Sequence, residues 1–346
     1  MPTVPALKST VTALLAPGKG LLAADESFPT IGKRFAALNI SSTAEQRLAY
    51  REMLFATPGL GDFISGAILF DETIRQRTGR DSIPEALAHR GIVPGIKVDA
   101  GTTALPGFTG EKITQGLDGL RERLGGYREL GARFTKWRAV ITIGAGLPTA
   151  ACIEANAHAL ALFAALSQEA GLVPVVEPEV LTDGNHTLER CAEVTSAVLH
   201  AVFTTLGEYR VALDTILLKT GMVLPGKDCL QPADAEKIAT ATVRCLREIV
   251  PAAVPGVVFL SGGQSDVTAT ERLNAICRIS GSPWTLSFSF GRALQDAALK
   301  TWHGAPANVA AAQAALHHRA RCNGLAVQGR YSAQTECERE SPGKTP

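Results

Sequence analysis

The chain has 346 residues, of which 46% are hydrophobic and 19% charged, as is typical of a globular protein with a substantial core. Its 34 Lys and Arg nearly balance its 33 Asp and Glu, so no overall electric field points to a nucleic acid or a membrane surface as partner. The seven cysteines are scattered, odd in number and without a C-x-x-C pair, which argues against a disulfide framework or a zinc knuckle and favours a reducing cytoplasm.

The first residues, MPTVPALKSTVTALLAPGKG, lack a basic region and soon reach Pro17 and Gly18, so we expect no signal or transit peptide. The most apolar stretch, residues 155–166, is short and contains Asn156 and His158. We therefore expect no segment that could span a bilayer.

Short apolar runs recur along the chain, mostly preceded by a turn signal and followed by a segment of helix length. Continuous apolar character, as in VPVVEP and GVVFLSG, is typical of parallel strands buried on both faces. The predicted strands are residues 20–24, 66–70, 95–99, 132–138, 173–178, 215–219, 257–261 and 285–290. The predicted helices between them include residues 147–168, 187–206, 232–250 and 265–279, the last with Ser265 as its N-cap.

This alternation of strand and helix, without a break in composition, predicts an α/β fold built as a single (β/α)8 TIM barrel. A doubly wound sheet would require a glycine-rich fingerprint after an early strand, and the sequence contains no G-x-G-x-x-G. We assign residues 1–330 to the barrel domain and residues 331–346, which are polar and end in proline, to a mobile C-terminal tail. Residues 100–118 are predicted to be a long polar loop after the third strand.

Charged side chains concentrate within or at the carboxyl ends of the predicted strands. In a barrel these ends meet at one mouth, where active sites are built. One such residue alone would indicate a structural ion pair, but several buried lysines beside carboxylates indicate a mutually neutralising cluster. These residues are Asp25, Lys97, Asp99, Lys136, Arg138, Glu177, Glu179 and Lys219, with Ser261 and Arg292 ending the last two strands.

Lys219 follows the apolar run TILL, which predicts a buried amine. A buried lysine beside another cation, here Lys136, loses part of its preference for the charged form and can attack a ketone carbonyl as a neutral amine. Glu177 is then placed for proton transfer at the resulting carbinolamine, and Asp25 for removing a proton from a substrate hydroxyl. The residues alone leave open the reverse pairing, in which Lys136 is the nucleophile and Lys219 its helper.

Two glycine-rich turns predict a phosphate site. The segment LSGGQS, residues 260–265, offers backbone N–H groups and a hydroxyl directly before a helix, and SFGR, residues 289–292, adds a second turn and a guanidinium. The loops after the seventh and eighth strands are the usual phosphate site of this fold. A second candidate pocket is DESFPTIGKR, residues 25–34, for which an N-capped helix with a solvated basic face is the alternative.

We expect no metal and no cofactor. The seven histidines fall mostly in predicted helices or loops rather than at strand ends. His317 and His318 are adjacent, so on a helix they point in different directions and are expected to be surface residues rather than ligands.

At these residues the chain resembles class I fructose-1,6-bisphosphate aldolase. The resemblance covers about residues 8–331, in the order of the family. The matching segments are APGKGLLAADES, GIKVD, TQGLDGL, KWR, VPVVEPE, LLK, FLSGGQS and FSFGRALQ.

The resemblance implies a catalytic role for each of five residues. Lys219 matches the Schiff-base lysine, Glu177 the general acid/base that also drives the loss of water, and Glu179 the carboxylate that supports the lysine amine. Lys136 matches the cation near the reacting carbons of the substrate, and Asp25 the residue that polarises the C4 hydroxyl.

The resemblance also implies the substrate, its ligands and the surroundings of the enzyme. The substrate is fructose 1,6-bisphosphate, cleaved to dihydroxyacetone phosphate and glyceraldehyde 3-phosphate by a cytoplasmic, glycolytic enzyme that is usually a homotetramer. Ser261, Gly262, Gly263, Ser289, Gly291 and Arg292 are implied at the C1 phosphate. Ser27, Thr30, Arg34 and Lys97 are implied near the C6 phosphate, with Arg138 as a further substrate-binding residue.

Some positions depart from the pattern of the family. The chain ends in GKTP, whereas eukaryotic members end in a tyrosine thought to help protonate the enamine. Phe28, Pro29 and Thr30 replace other residues beside the implied C6-phosphate site. Two alternatives to this function are an aldolase that acts on another sugar phosphate and a binding protein that has lost catalysis.

Overall fold

The strands form one closed sheet, because each parallel strand pairs with its neighbours in the chain. The computed structural model describes residues 4–279 and 281–338. The strand order is sequential, and the last strand pairs with the first. This confirms the predicted (β/α)8 barrel. The strands are β1 (Gly20–Ala24), β2 (Ile64–Leu69), β3 (Val93–Lys97), β4 (Phe134–Ile141), β5 (Val173–Val180), β6 (Leu217–Thr220), β7 (Gly256–Phe259) and β8 (Thr285–Phe290).

Most helices form an outer layer around this sheet, and side chains cap several of their first turns. The hydroxyl of Ser265 accepts a hydrogen bond of 3.1 Å from the backbone N–H of Thr268, which confirms Ser265 as the predicted N-cap. The helices are α1 (Val4–Leu14), α2 (Phe28–Ala36), α3 (Ala44–Phe55), α4 (Asp71–Ile74), α5 (Ile83–Ala88), α6 (Leu120–Glu129), α7 (Ala150–Glu169), α8 (Leu188–Glu208), α9 (Ala235–Ile249), α10 (Asp266–Arg278), α11 (Arg292–Trp302), α12 (Val309–Val327) and α13 (Ala333–Cys337).

Apolar side chains fill the amino-terminal half of the barrel interior. Alternate residues of a strand point to the same face, so each strand contributes one row to the interior. Phe134 of β4 lies at the centre of this group, and α1 adds three residues to it. The buried members are Leu7, Val11, Leu14, Leu21, Ala23, Ile68, Phe134, Val173, Val175, Leu217 and Val258.

Glycines on β2 and β3 make room for Phe134. A Cβ on Gly95 would overlap the Phe134 ring, and one on Gly66 would lie 2.6 Å from Leu14 Cδ2. The aromatic ring therefore packs directly on the backbone of the neighbouring strands, which closes the lower barrel with apolar groups.

The outward row of the same strands packs against the helices. Trp137 of β4 is fully buried and stacks on Phe163 of α7 with ring centroids 5.7 Å apart. Because side chains alternate along a strand, an outward Trp137 places Lys136 and Arg138 inward. The strand β4 thus packs on α7 with one face and directs two cations, Lys136 and Arg138, into the barrel with the other.

The barrel closes between β1 and β8 through a short ladder. Two residue pairs are in register there, Leu21 with Ser289 and Leu22 with Phe290. Side chains reinforce this seam: the Ser287 hydroxyl donates to the carbonyl of Lys19 at 2.6 Å. On the carboxyl side of the seam, Gln295 Nε2 of α11 donates to the carbonyl of Ala23 at 2.6 Å.

The predicted polar loop of residues 100–118 contains a hairpin. Its strands Thr102–Ala104 and Lys112–Thr114 pair antiparallel. Buried Glu111 accepts hydrogen bonds from the backbone N–H and the hydroxyl of Thr149, at 2.7 and 2.5 Å, just before α7. The hairpin therefore braces the start of α7.

By length and composition α7, with 20 residues, could cross a membrane, contrary to the expectation that no segment could. Half of its most apolar window is buried inside the structure, where α7 packs on β4, β5 and α8. A core helix of a soluble protein passes the same test, so this signal for a membrane is weak.

The first residues of the predicted tail pack on the barrel. Tyr331 is buried, and its hydroxyl donates to Glu336 Oε2 at 2.7 Å. Glu336, on α13, also forms an ion pair with buried Arg319 of α12. Residues 331–338 are thus held by specific contacts, and residues 339–346 of the predicted tail lie outside the described residues. The division at residue 330 remains a prediction.

Candidate active site

The interior rows change from apolar to charged side chains towards the carboxyl ends of the strands. On β4, Lys136 follows Phe134 two residues later, and on β5, Glu177 follows Val175 in the same way. All four central charged residues are at most 9% exposed. They are Asp25 after β1, Lys136 on β4, Glu177 on β5 and Lys219 on β6.

These four side chains form one chain of ion pairs. Lys136 Nζ lies 2.6 Å from Asp25 Oδ2 and 3.1 Å from Glu177 Oε2. The other oxygen of this carboxylate, Glu177 Oε1, lies 3.0 Å from Lys219 Nζ. Two cations face two anions, so the cluster is formally neutral. The structure thus brings the predicted cluster together, with Glu177 bridging the two lysines.

The charges within the cluster fix its protonation. Burial disfavours the charged form of Asp25, but the ammonium groups of Lys136 and Lys219 outweigh it and lower the pKa of Asp25 to about 2. Burial likewise opposes the charge on Lys136, yet Asp25 and Glu177 raise its pKa well above the ordinary value. The pKa of Glu177 is lowered, because both lysines outweigh its burial. Lys136 is therefore held as a cation between two carboxylates.

Two further ion pairs lie near the cluster, since Lys97 acts on the charge of Asp25 and Arg138 on that of Glu177. Lys97 Nζ lies 2.5 Å from Asp99 Oδ1, and Arg138 forms an ion pair with Glu179. The structure thus pairs Glu179 with Arg138, whereas the resemblance implies that Glu179 supports the amine of Lys219. The Lys219 amine has Glu177 as its carboxylate partner instead.

The two glycine-rich turns meet at the carboxyl ends of β7 and β8. Gly262 and Gly263 adopt φ of +57° and +81°, which L-residues with a side chain rarely take. A Cβ on Gly263 would lie 3.3 Å from the guanidinium of Arg292, so the turn and this cation are neighbours. Ser261 is buried, and the hydroxyl of buried Ser289 has no hydrogen-bond partner among the described residues. The predicted residues of the first phosphate site are therefore close together.

The second predicted phosphate pocket, in the β1–α2 loop, is only partly open to a ligand. The hydroxyls of Ser27 and Thr30 lie 3.2 Å apart at the start of α2. Arg34 already has partners within the protein, since it forms ion pairs with Glu26 and, at 2.9 Å, with Asp296 Oδ1. Ser27 and Thr30 therefore offer hydroxyls for a phosphate, while two carboxylates already neutralise Arg34.

Sequence reasoning missed the residues that fix this loop. Arg51 of α3 is buried and donates to Glu26 Oε2 at 2.7 Å. Burial opposes the charge on Glu26, but Arg51 and Arg34 outweigh it and lower its pKa. The Tyr50 hydroxyl donates to Gln295 Oε1 at 2.9 Å. Local sequence patterns carry no signal for these contacts, because the partners are 25 and 245 residues apart.

The potential metal ligands that lie together in the described part of the chain are on the outer layer of helices. Among the described residues, the one group of three or more His, Cys, Asp and Glu ligand atoms consists of His318, Cys322 and Glu336. These residues lie on α12 and α13, in the outer layer.

The lowered pKa of Asp25 predicts how the stability depends on pH. Because folding lowers this pKa from 3.8 to about 2, ionised Asp25 stabilises the folded state above pH 3.8, and this is lost as the pH falls towards 2. Asp25→Asn should lower the free energy of unfolding at neutral pH, since it leaves Lys136 with one carboxylate fewer. The difference from the wild type should shrink by about 2 kcal/mol across this window, as measured by urea unfolding at several pH values.

Asp183→Asn is the matched control, because Asp183 forms an ion pair with Lys227 whose side chains are 64% and 54% exposed. We expect this change to shift the stability by less than about 1 kcal/mol. If the free energies of unfolding of Asp25→Asn and the wild type differed by the same amount from pH 5 to pH 2, the pKa of Asp25 would not be lowered by folding.

Comparisons with known proteins identify the family. A model of the family described as fructose-bisphosphate aldolase class-I matches residues 6–344. A protein of Xanthomonas campestris pv. campestris described as a probable fructose-bisphosphate aldolase class 1 is 55% identical over 328 residues, which cover 94% of this chain and 98% of the relative. Fructose-bisphosphate aldolase 4, cytosolic, of Arabidopsis thaliana is 51% identical over 322 residues, 92% of this chain and 82% of the relative.

A solved structure agrees with the sequence comparisons. Fructose-bisphosphate aldolase of Plasmodium falciparum, crystallised with TRAP and a small-molecule inhibitor, superimposes with a TM-score of 0.94 at 48% identity. The match covers 95% of this chain and 96% of that chain. The chain therefore belongs to the class I fructose-bisphosphate aldolases, a family of glycolytic lyases.

Proposed function

We propose that this chain cleaves fructose 1,6-bisphosphate reversibly, through a Schiff base on Lys219, into dihydroxyacetone phosphate and glyceraldehyde 3-phosphate. The observation that supports this most directly is the bridging of Lys219 and Lys136 by one buried carboxylate, Glu177. A nucleophile at Lys219, a proton carrier at Glu177 and a cation at Lys136 would all reach one carbonyl carbon.

The geometry favours Lys219 over Lys136 as the nucleophile. Lys136 contacts two carboxylates, which raise its pKa, whereas the ion pair of Lys219 is with Glu177. An amine must lose its proton before it attacks, so the ammonium held by two anions is the poorer nucleophile. Lys136 instead supplies a permanent positive charge beside the reacting carbons.

Formation of the Schiff base uses Lys219 and Glu177. Glu177 takes the proton of the paired Lys219 ammonium, the neutral amine attacks the C2 ketone, and a proton moves from the nitrogen to the oxygen to give the carbinolamine. Glu177 then donates a proton to the departing C2 hydroxyl, water leaves, and the nitrogen lone pair forms the protonated iminium. Glu177 Oε1 lies 3.0 Å from Lys219 Nζ. Once this nitrogen is bonded to C2 of the substrate, the carboxyl group is therefore also near the hydroxyl on C2.

Cleavage of the C3–C4 bond uses the iminium as an electron sink. Asp25 removes the proton of the C4 hydroxyl, the C4 carbonyl forms, and the bond electrons move to C3 to give an enamine. The aldehyde product leaves, the enamine is protonated at C3, and hydrolysis releases the ketone. Asp25 is suited to accept this proton because it is ionised above pH of about 2 and lies 2.6 Å from Lys136.

Two groups of residues are proposed to hold the phosphates. Ser261, Ser289 and the backbone at Gly262, Gly263 and Gly291 hold the C1 phosphate with Arg292, supported by the left-handed turn beside this guanidinium. Ser27, Thr30 and Lys97 hold the C6 phosphate, and Arg138 borders the substrate. Arg34 is proposed to position the loop rather than to bind phosphate, because it pairs with Glu26 and Asp296.

Trapping of the intermediate tests the choice of lysine. With dihydroxyacetone phosphate and borohydride, the wild type should gain a stable adduct that mass spectrometry maps to Lys219. Lys219→Met should form none. Glu177→Gln should lower kcat by about 10²- to 10⁴-fold, the usual contribution of a general acid/base.

Lys136→Met is the informative control. It should still form the adduct on Lys219 while its turnover falls. A sample treated with EDTA should react like the untreated protein, because the iminium polarises the substrate. An adduct on Lys136 would exchange the two roles, and no adduct from the folded wild type would reject the mechanism.

A substrate comparison tests the C6-phosphate pocket. We expect kcat/KM to be higher for fructose 1,6-bisphosphate than for fructose 1-phosphate. Ser27→Ala combined with Thr30→Ala should lower kcat/KM for the bisphosphate at least about tenfold, since each hydroxyl bonds a charged group. Fructose 1-phosphate serves as the internal control and should lose little efficiency. Equal efficiency of the wild type on both substrates would overturn the preference.

The assembly proposed from the resemblance is a homotetramer. A groove of about 780 Å³ between α8 and α9, lined by Ala192, Ala241 and charged side chains, offers a surface for a second copy. Sedimentation should give four times the chain mass of 36.4 kDa. Ala241→Glu in the groove should lower this mass, whereas Ala311→Glu on the exposed side of α12 should not. A monomeric wild type would reject the assembly.

The proposed compartment is the cytoplasm. All seven cysteines are free thiols, as expected in a reducing environment, and the Arabidopsis relative is named cytosolic. Recovery of the protein with a membrane or secreted fraction after cell fractionation would contradict this.

A further inference from the structure

Three side chains of different chemistry meet on the outer layer of helices. His318 and Cys322 lie one turn apart on α12, and Glu336 of α13 faces them. His318 Nε2 lies 3.6 Å from Cys322 Sγ and 3.8 Å from Glu336 Oε1. All three potential ligand atoms lie within 4.8 Å of one another.

These separations are close to those around a tetrahedral zinc ion. Zn–S bonds of about 2.3 Å and Zn–N or Zn–O bonds of about 2.0–2.1 Å place neighbouring ligand atoms about 3.4–3.6 Å apart. The distance from His318 to Cys322 has this length, and the distance from His318 to Glu336 exceeds it by a few tenths of an ångström. Cys322 Sγ and the Glu336 carboxylate lie within 4.8 Å of each other, so the Glu336 side chain would approach Cys322 to complete three corners of a tetrahedron.

The set of donors selects among metals. A thiolate and an imidazole favour zinc, whereas magnesium and calcium prefer oxygen ligands. Cys322 is fully buried, while the side chains of His318 and Glu336 are 21% and 25% exposed. The fourth position of a tetrahedron would therefore face solvent, where water can occupy it.

The surroundings of these ligands suit a dication despite the nearby Arg319. Glu336 Oε1 pairs with Arg319, and Glu336 Oε2 accepts from the Tyr331 hydroxyl. A carboxylate oxygen has two lone pairs, so Oε1 can bind a metal and keep this partner. Arg319 also lies 3.8 Å from Asp266 Oδ2. With a thiolate at Cys322, the charges of the metal, its ligands, Arg319 and Asp266 cancel.

We propose that His318, Cys322 and Glu336 form a Zn²⁺ site that fastens α13 to α12. Binding would release the proton of the Cys322 thiol to solvent, since zinc binds the thiolate. The site belongs to the outer layer and takes no part in the cleavage of the sugar phosphate. Its ligands come from two helices that Arg319 and Tyr331 already hold together, so the metal would add to an existing contact.

Metal binding to the full-length protein, first stripped with a chelator, tests this proposal. Titration with Zn²⁺ against a chromophoric chelator should give one ion per chain. Co²⁺, used as a spectroscopic substitute, should give the intense visible bands of a tetrahedral ion and a thiolate charge-transfer band. Cys322→Ser and His318→Gln should each weaken Zn²⁺ binding at least a hundredfold and remove the thiolate band or distort the visible bands.

Two neighbouring residues provide matched controls. Cys337→Ser removes the exposed thiol next to Glu336, and His317→Gln removes the adjacent histidine, and both variants should bind Zn²⁺ like the wild type. No uptake by the wild type, or unchanged affinity in Cys322→Ser, would overturn the site. Loss of binding in Cys337→Ser would place the metal on another thiol and would also overturn it.

Thermal unfolding and catalysis provide separate readouts. Zn²⁺ should raise the Tm of the wild type but not of His318→Gln, because a ligand that binds only the folded state stabilises it. His318→Gln replaces a partly exposed side chain, so it decides the matter if Cys322→Ser fails to fold. Aldolase activity should be the same with and without the metal, so failure of this site leaves the proposed catalytic mechanism untouched.

Discussion

The neutral cluster of two lysines and two carboxylates is the constraint on which the carboxyl half of the barrel depends. Each charge alone would be costly to bury, because the interior solvates ions poorly. Together, Asp25, Lys136, Glu177 and Lys219 neutralise one another over distances of 2.6 to 3.1 Å. No member can be removed without leaving an unbalanced charge in the barrel interior. Catalysis and stability are therefore joined at this point of the molecule.

Each strand serves two purposes through its alternating side chains. On β4, Phe134 fills the lower interior, Trp137 anchors α7, and Lys136 reaches the cluster. The position of Lys136 is thus fixed by packing on both sides of the sheet rather than by its own ion pairs alone. Packing on both faces of the strands restricts the movement of the site residues. General acid–base and nucleophilic catalysis require such fixed positions.

Periodicity predicted the barrel because buried parallel strands have a continuous apolar pattern. The predicted strands 20–24 and 285–290 agree with β1 and β8 residue for residue. The prediction 215–219 began too early, because Leu213–Thr215 forms a 3-10 turn before β6. The hairpin within residues 100–118 escaped prediction, since its three-residue strands are short and mostly polar.

Side-chain partners far apart in sequence were the least predictable part of the site. The residues Lys136, Glu177 and Lys219 were recognised from their strand ends, but which carboxylate meets which lysine depends on the register of β4, β5 and β6. Arg34 meets Asp296 across 262 residues, which local patterns cannot anticipate. His318 is predicted to be a surface residue because it is adjacent to His317 on a helix, and no sequence pattern shows that Glu336 lies beside it.

The short seam between β1 and β8 has a consequence for how the chain reaches this fold. The contact of Gln295 with Ala23 spans 272 residues, so it closes the longest loop of the barrel. Loop closure costs more conformational entropy as the enclosed chain lengthens, although only logarithmically. A ladder of two residue pairs contributes little stability by itself. The side chains of Ser287 and Gln295 add hydrogen bonds across the same junction. The mouth of the barrel is therefore complete only when β1 has paired with β8. The phosphate-binding turns reach their final arrangement in the same step that closes the barrel.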